Sequence, residues 1–317
     1  MNAPLQLKLQ AMRLQAEGIV SYEFGAADTR ALPAFTAGAH IDLHLPGGLV
    51  RSYSLANDPA ERHRYVIAVD RAADGRGGSA WMHQVPRCGD TLGASAPVND
   101  FPLYEDAPLS VFIAGGIGIT PILSMIARLN TLGRRWQLHY AARSPQRAAY
   151  VQQLEALASP HGRVDIRYSS KGLGRFDLAA LVREAPAGAH FYCCGPTGMI
   201  DDYLAATEGL AKERVHLERF SASQAAATGG GYEVTLAKSG KTVSVADGKT
   251  LLDALLDAGV AVQYSCSQGI CGTCCTPVLE GTPDHRDDYL TPEEKAGNRA
   301  MMVCCSGSLT PRLVLDL

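Results

Sequence analysis

Between residues 266 and 304 the chain places Cys266, Cys271 and Cys274 in C-x4-C-x2-C order, and a fourth cysteine, Cys304, follows after 29 intervening residues. Six of the nine cysteines fall between Cys266 and Cys305, which is local use of thiols, as at a metal, rather than a disulfide framework spread along a chain. Four soft thiolates at this spacing suit a 2Fe-2S cluster better than the paired C-x2-C arrangement of a zinc knuckle. A structural zinc or a different fourth ligand is the competing reading. Gly269 and Gly272 predict a loop that curls tightly and turns its N–H groups toward the sulfurs. Cys275 and Cys305 adjoin proposed ligands, and alternation along an extended chain predicts that both point away as packing thiols.

The rest of the composition narrows the setting. With 46% hydrophobic residues in 317, the chain can bury two or three domain cores, which excludes a mostly disordered protein. A net charge of -3 without a long basic block argues against nucleic acid as a partner. The N-terminus lacks a sustained apolar run of the signal-peptide kind, and a reducing, cytoplasmic setting fits the thiols. Residues 109–127 carry no charge over 19 positions, but GGIGITP interrupts them, so a buried strand, turn and helix are expected rather than a membrane span.

The first hundred residues read as short strands separated by Gly, Pro, Asp and Asn, the pattern of a small barrel or sandwich, with a barrel preferred. From Leu109 strands and helices alternate, which predicts a parallel sheet covered by crossover helices. SASQAAATGGG, residues 221–231, has no amphipathic period and reads as a linker. Beyond it, residues 232–317 hold 11 acidic and 7 basic residues, a mildly acidic module. Its cysteine loop resembles that of plant-type ferredoxins, which implies a small mixed sheet with one helix, TLLDALLDA, and one-electron transfer.

Two further motif sets stand upstream. Arg51-Ser52-Tyr53-Ser54 lies in an apolar strand pattern, with Gly78 and Ser79 shortly after it. A flavin needs a phosphate partner, a ring neighbour and donors at its polar edge, and Arg51, Tyr53 and Ser54 suit these in turn, with Gly78 and Ser79 offering backbone N–H groups. Alone, the match also describes ordinary barrel residues. Gly115, Gly116, Gly118, Thr120 and Pro121 join a strand to a helix, and Cys194, Gly195 and Pro196 do so again later. Both turns suit a nucleotide pyrophosphate at a helix N-terminus, while a plain tight turn or a buried thiol are the bland alternatives. Arg143 follows a strand where a ribose would lie, and Phe220 ends the α/β region where an aromatic can cover a flavin face. No Ser-His-Asp set, HExxH or Rieske-type histidine pairing is evident.

Together, RxY[ST], GGxGxxP and CGP resemble the ferredoxin reductase superfamily. The order of the three parts resembles the phthalate dioxygenase reductase and vanillate demethylase reductase family. That resemblance implies a multidomain chain. An antiparallel six-stranded flavin-binding β-barrel would span 1–103, and an α/β NAD-binding domain with a parallel sheet 104–222. A linker would follow over 223–231, then an α+β β-grasp ferredoxin domain over 232–317. It implies FMN, NADH and a 2Fe-2S cluster, Cys194 beside the nicotinamide, and a separate Rieske-type oxygenase or demethylase as acceptor. No long adenine-binding insertion follows Asn99-Asp100-Phe101-Pro102-Leu103, in keeping with FMN over FAD. A free-standing electron carrier and a flavoprotein serving a non-Rieske acceptor are the alternatives.

Overall fold

The computed structural model describes residues 4–28, 30–72, 77–157, 160–172 and 175–317. They divide into two compact units, Met1–Phe220 and Ser221–Leu317.

The first unit opens with strands β1 (Leu5–Ala16), β2 (Ile19–Ala26), β3 (His40–His44), β4 (Val50–Ser54) and β5 (Tyr65–Asp70), then α1 (Gly78–Gln84) and β6 (Thr91–Ala94). The six strands form an antiparallel sheet of order β4-β3-β6-β1-β2-β5. Alternate residues point inward, so Leu7, Leu9, Tyr22, Phe24, Ile41, Leu43 and Ile67 build one core. The ends of the sheet meet where Ala56 N–H donates to the Val66 carbonyl at 2.8 Å, which curls it into the expected barrel.

Next come β7 (Ser110–Gly115), α2 (Ile119–Thr131), β8 (Trp136–Ala142), α3 (Val151–Leu157), β9 (Gly162–Tyr168), α4 (Leu178–Glu184), β10 (His190–Cys194), α5 (Thr197–Ala206) and β11 (Val215–Glu218). The five strands are parallel, in the order β11-β10-β7-β8-β9. Every residue of β7 is buried, because helices cover both faces of a central parallel strand and remove the need for alternation. The chain winds one way from β7 to β8 and β9 and the other way to β10 and β11. The order therefore reverses between β7 and β10, the place where open α/β sheets leave a ligand crevice at their carboxyl ends. Residues 146–157, helix-like in spacing, yield a shorter helix: Tyr150 takes φ 62, so α3 starts only at Val151. Among the described residues no helix is long and apolar enough to cross a membrane.

Ile19, Ala56 and Ala68 of the barrel side pack in one cluster with Ile122, Ile126 and Tyr140. A bond from Gly38 N–H to Ser124 Oγ (3.1 Å) and the ion pair Arg147–Asp70 (3.2 Å) reinforce the contact. A shared core crosses residue 103, so barrel and α/β lobe form a single body.

The second unit contains β12 (Tyr232–Leu236), β13 (Thr242–Val245), α6 (Leu251–Asp257), β14 (Cys275–Glu280), β15 (Pro283–Asp284), α7 (Pro292–Gly297), β16 (Ala300–Met302), β17 (Gly307–Ser308) and β18 (Arg312–Leu315). Its main sheet, β13-β12-β18-β14-β16, is mixed, with β12 and β18 parallel, as a β-grasp requires. Thr250 and Asp253 form a capping box that starts α6, whose Leu251 and Leu255 join Val234 and Leu313 in the core. The glycine-rich stretch before β12 is bonded to this unit. Ala227 N–H donates to the Cys305 carbonyl and Gly248 N–H to that of Thr228, each at 2.8 Å.

Candidate functional site

The two glycine turns expected to hold a nucleotide lie against each other at the switch point. Cys194 pairs in register with Ala114, so the chain leaves β7 and β10 at the same level. A Cβ at Gly115 would come within 2.5 Å of Pro196 Cδ, one at Gly118 within 2.5 Å of the Cys194 carbonyl carbon, and one at Gly195 within 2.8 Å of Met199 Sδ. Three of these glycines therefore serve the approach of one turn to the other. Gly116 differs: it takes φ 55 and a Cβ there would meet nothing within 4 Å, so its backbone borders open space. The Thr120 hydroxyl donates to the Ile117 carbonyl at 3.0 Å and shapes the turn, and Pro121 is buried in the first turn of α2. Neither α2 nor α5 has a side-chain cap at its N-terminus, though Ile119 N–H at the start of α2 already donates to the Gly116 and Ile117 carbonyls, so α5 is the more open of the two to an anion. Arg143 is exposed, and its carbonyl accepts from Ser170 N–H (2.9 Å), tying the loops after β8 and β9 together.

The barrel contributes the facing wall. The Arg51 side chain lies across Gly78, where a Cβ would come within 2.8 Å of its Nε, so this glycine lets the guanidinium reach the start of α1. The Ser79 hydroxyl accepts from Ala72 N–H at 3.2 Å, and its own O–H remains a donor beside the start of α1. Tyr53 is half-buried, and burial pushes its phenol up to about 12. Phe220 is 37% exposed at the end of the unit, consistent with an aromatic that can cover a ligand.

One residue with no role assigned from sequence is central. Glu218 sits beside Cys194 in the register of β10 and β11, and its Oε2 accepts from Ser54 Oγ of β4 at 3.4 Å. Barrel strand, the glycine turn after β10 and edge strand thus converge on one carboxyl group. The residue retains some surface, but its carboxyl is enclosed; burial first, and Asp100 next, push it up to about 8 against the lowering effect of the Ser54 bond. The Cys194 thiol is raised well above its ordinary value by burial and by Glu218, so it stays neutral and is no nucleophile. The motif E-R-F at a strand end was visible in sequence, but enclosure of its glutamate needed the fold.

In the second unit, Cys266, Cys274 and Cys304 are buried and Cys271 is half-buried. Hydrogen bonding to Cys271 and then Cys304 holds the Cys266 thiol below the usual range, and Cys304 is pushed up by bonds to Cys266, Cys274 and Cys305. The four thiols therefore form a chain of neighbours, Cys271, Cys266, Cys304, Cys274. Among the described residues no three His, Cys, Asp or Glu side chains meet at the spacing of a single metal ion. Gln268 N–H points at Cys266 Sγ (3.3 Å), and Gly269 and Gly272 take φ 73 and 75, so the loop curls as its glycines predict. Thiol chemistry and inward N–H groups fit a two-iron cluster. The expectation of packing thiols is corrected for Cys275, which is exposed, and holds for Cys305, which is buried with its Sγ against Gly269. Val303, Cys304 and Cys305 form a turn instead of extended chain, so alternation does not apply and both thiols are buried.

Comparison with known proteins follows the same division. Residues 112–204 match the oxidoreductase NAD-binding domain, and residues 234–307 match the 2Fe-2S iron-sulfur cluster binding domain. Phenoxybenzoate dioxygenase subunit beta of Ectopseudomonas oleovorans is 53% identical over 99% of this chain and 98% of its own length. Vanillate O-demethylase oxidoreductase of Pseudomonas sp. (strain HR199 / DSM 7063) is 42% identical over 99% of this chain and all of its own length. The solved structure of phthalate dioxygenase reductase, described as modular for electron transfer from pyridine nucleotides to [2Fe-2S], superimposes with a TM-score of 0.82. It is 37% identical over 99% of this chain and 98% of that one. The chain belongs to the phthalate dioxygenase reductase family.

For this reductase, Glu218→Gln gives a pH test. Between about pH 4.5 and 8 the folded protein holds a proton that the unfolded chain releases, so stability falls as pH rises through that window and levels off above it. The glutamine variant is expected to lose this part of the slope in thermal denaturation between pH 5 and 9. It is also expected to lose any step near pH 8 in the rate of flavin reduction by NADH. A variant with the parent's profile in both measurements contradicts an enclosed, protonated Glu218.

Proposed function

We propose that this protein is the NADH-dependent reductase component of a Rieske-type oxygenase system, passing electrons through FMN and a 2Fe-2S cluster to a separate terminal oxygenase or demethylase. The observation that carries this reading is the presence, on one polypeptide, of a nucleotide crevice faced by a barrel wall and a curled loop of four neighbouring thiols. Bound FMN takes an electron pair from NADH and gives it up singly, and the cluster carries one electron at a time.

The protein's own residues would act by holding and shielding. Arg51, with the backbone N–H groups of Gly78 and Ser79, would hold the flavin phosphate, and Tyr53 and Ser54 would line its ring. Gly116 and the uncapped starts of α2 and α5 would receive the pyrophosphate, with Gly115, Gly118, Thr120, Pro121, Gly195 and Pro196 fixing the turns and Arg143 at the ribose. Cys194 and Phe220 would orient and cover the reacting rings, Glu218 keeping a proton at the Ser54 hydroxyl. Cys266 and Cys271 would serve one iron, Cys274 and Cys304 the other. A cytoplasmic setting belongs to the same reading.

The test is rapid mixing of the purified protein with NADH, following flavin and cluster separately. Flavin bleaching followed by cluster reduction is expected; a cluster that stays oxidised beside reduced flavin, despite a favourable potential, defeats the relay. Acid-released flavin should chromatograph as FMN. The second unit's acidic surplus predicts that reduction of the oxygenase slows as ionic strength rises, and a rate independent of salt would remove charge steering from the account.

A further inference from the structure

Asp287 carries a carboxylate with almost no surface, 1% exposed, in a segment folded against the cysteine loop. The local structure puts it there. β15 pairs with β17 through Asp284 and Gly307, and Arg286 N–H donates to Ser306 Oγ at 3.2 Å, which brings the next residue inside. Asp288 N–H then donates to the Gly269 carbonyl at 3.0 Å. A Cβ at Gly269 would come within 3.0 Å of both Cα and Cβ of Asp287, so this residue lies against the backbone between Cys266 and Cys271.

The carboxylate is held in place but only partly balanced. Its Oδ2 accepts from Tyr289 N–H (3.2 Å) and Leu290 N–H (2.8 Å) and stands 3.9 Å from Lys295 Nζ of α7, while Lys295 donates to the Asp287 carbonyl. Oδ1 is buried with no hydrogen-bond partner among the described residues, and His285 Nδ1 is 3.6 Å from it. The flanking charges are engaged elsewhere, Arg286 by Asp284 at 2.8 Å and Asp288 by Ser223. A charge enclosed by protein is screened far less than one in water, so it is felt by whatever the adjoining loop wraps. When four thiolates hold two irons, reduction adds one negative charge, and a fixed negative charge nearby opposes that gain.

We propose that the Asp287 carboxylate backs the cysteine loop as a fixed negative charge and lowers the reduction potential of the cluster held there, with Lys295 as its partial counter-charge. This rests on the cluster assignment above. One electron enters on reduction; at Asp287 no bond forms or breaks and no proton moves. Asp287→Asn separates charge from bracing, because an amide keeps an oxygen for the Tyr289 and Leu290 N–H groups and can turn its NH2 toward His285 Nδ1. Lys295→Gln removes the opposing charge.

The test is an EPR-monitored dithionite titration, at one pH, of the full-length, cluster-loaded parent, Asp287→Asn and Lys295→Gln. Asp287→Asn is expected to make cluster reduction about three- to tenfold more favourable, tenfold being 59 mV for one electron. Lys295→Gln is expected to make it less favourable, by up to about the same factor. Both changes loosen one turn, so a merely structural role would move the two potentials the same way, and opposite shifts require charge. Shifts in one direction, or an unmoved potential in Asp287→Asn at full iron and sulfide content, overturn the proposal and leave Asp287 as a brace. If Asp287→Asn fails to load, Lys295→Gln decides: a lowered potential supports the proposal, and an unchanged or raised one overturns it. Because dithionite replaces NADH and no acceptor is needed, failure here is separable from failure of the broader reading, which would show as a parent protein without the signal.

Discussion

Cys274→Ala is expected to abolish the visible charge-transfer absorption and EPR signal of the cluster while leaving NADH-driven flavin reduction intact. Cys274 is 2% exposed and bonded to Cys304, so its removal takes away one of four thiols and opens the loop from inside. Every group placed at the flavin and nicotinamide crevice lies within Met1–Phe220, and none is in the unit that carries Cys274. Electron delivery to the oxygenase should therefore fall about 100-fold or more, while flavin bleaching stays within about threefold of the parent. Iron and sulfide analysis, stopped-flow absorbance and oxygenase turnover measure the three quantities. Undiminished delivery by a protein shown to lack iron would mean that electrons leave from the flavin directly.

Gly118→Ala is expected to damage the first unit itself. The new methyl group would press on the Cys194 carbonyl, and both partners are backbone, so no side chain can swing away. Overpacking of this kind costs about 3 kcal/mol, or roughly 6–12 °C in Tm for a domain of this size. Because the turns carrying Gly118 and Cys194 would separate, flavin reduction by NADH should slow at least about tenfold. Gly116→Ala is the control: a Cβ there meets no neighbour, and only its left-handed backbone is penalised, by about 1 kcal/mol. Calorimetry compares the stability of the two, single-turnover kinetics sets Gly118→Ala against the parent, and a Gly118→Ala protein as stable as Gly116→Ala would mean that the turns do not touch as described.

These two glycines also show what could be read from the sequence and what could not. Spacing located the cysteine loop because Cys266, Cys271, Cys274 and Cys304 stand in a pattern that metal chemistry restricts. Strand and turn periodicity located the barrel and the parallel sheet because one face or both must be buried. Glycine spacing marked the turns after β7 and β10 as places of close approach, but it could not distinguish approach to a ligand, as at Gly116, from approach to another turn, as at Gly115, Gly118 and Gly195. Glu218 was illegible for a related reason: its enclosure comes from Ser54, 164 positions away in the chain. At Cys305 packing holds for another reason than the one read from sequence, since alternation belongs to extended chain and Val303, Cys304 and Cys305 turn. The helix before Tyr150 was overread because spacing does not register a single residue with positive φ.

The bonds from Ala227 to Cys305 and from Gly248 to Thr228 bear on how this protein can be dismantled. A ferredoxin fragment beginning at Ser221 would keep the strap that braces the carbonyl of Cys305, one residue from Cys304, a proposed iron ligand. One trimmed to begin at Tyr232 would discard it and should shed its metal sooner under a chelator. Anyone grafting this electron outlet onto another flavoprotein has reason to splice immediately after Phe220 and carry the glycine-rich lead-in along with the graft.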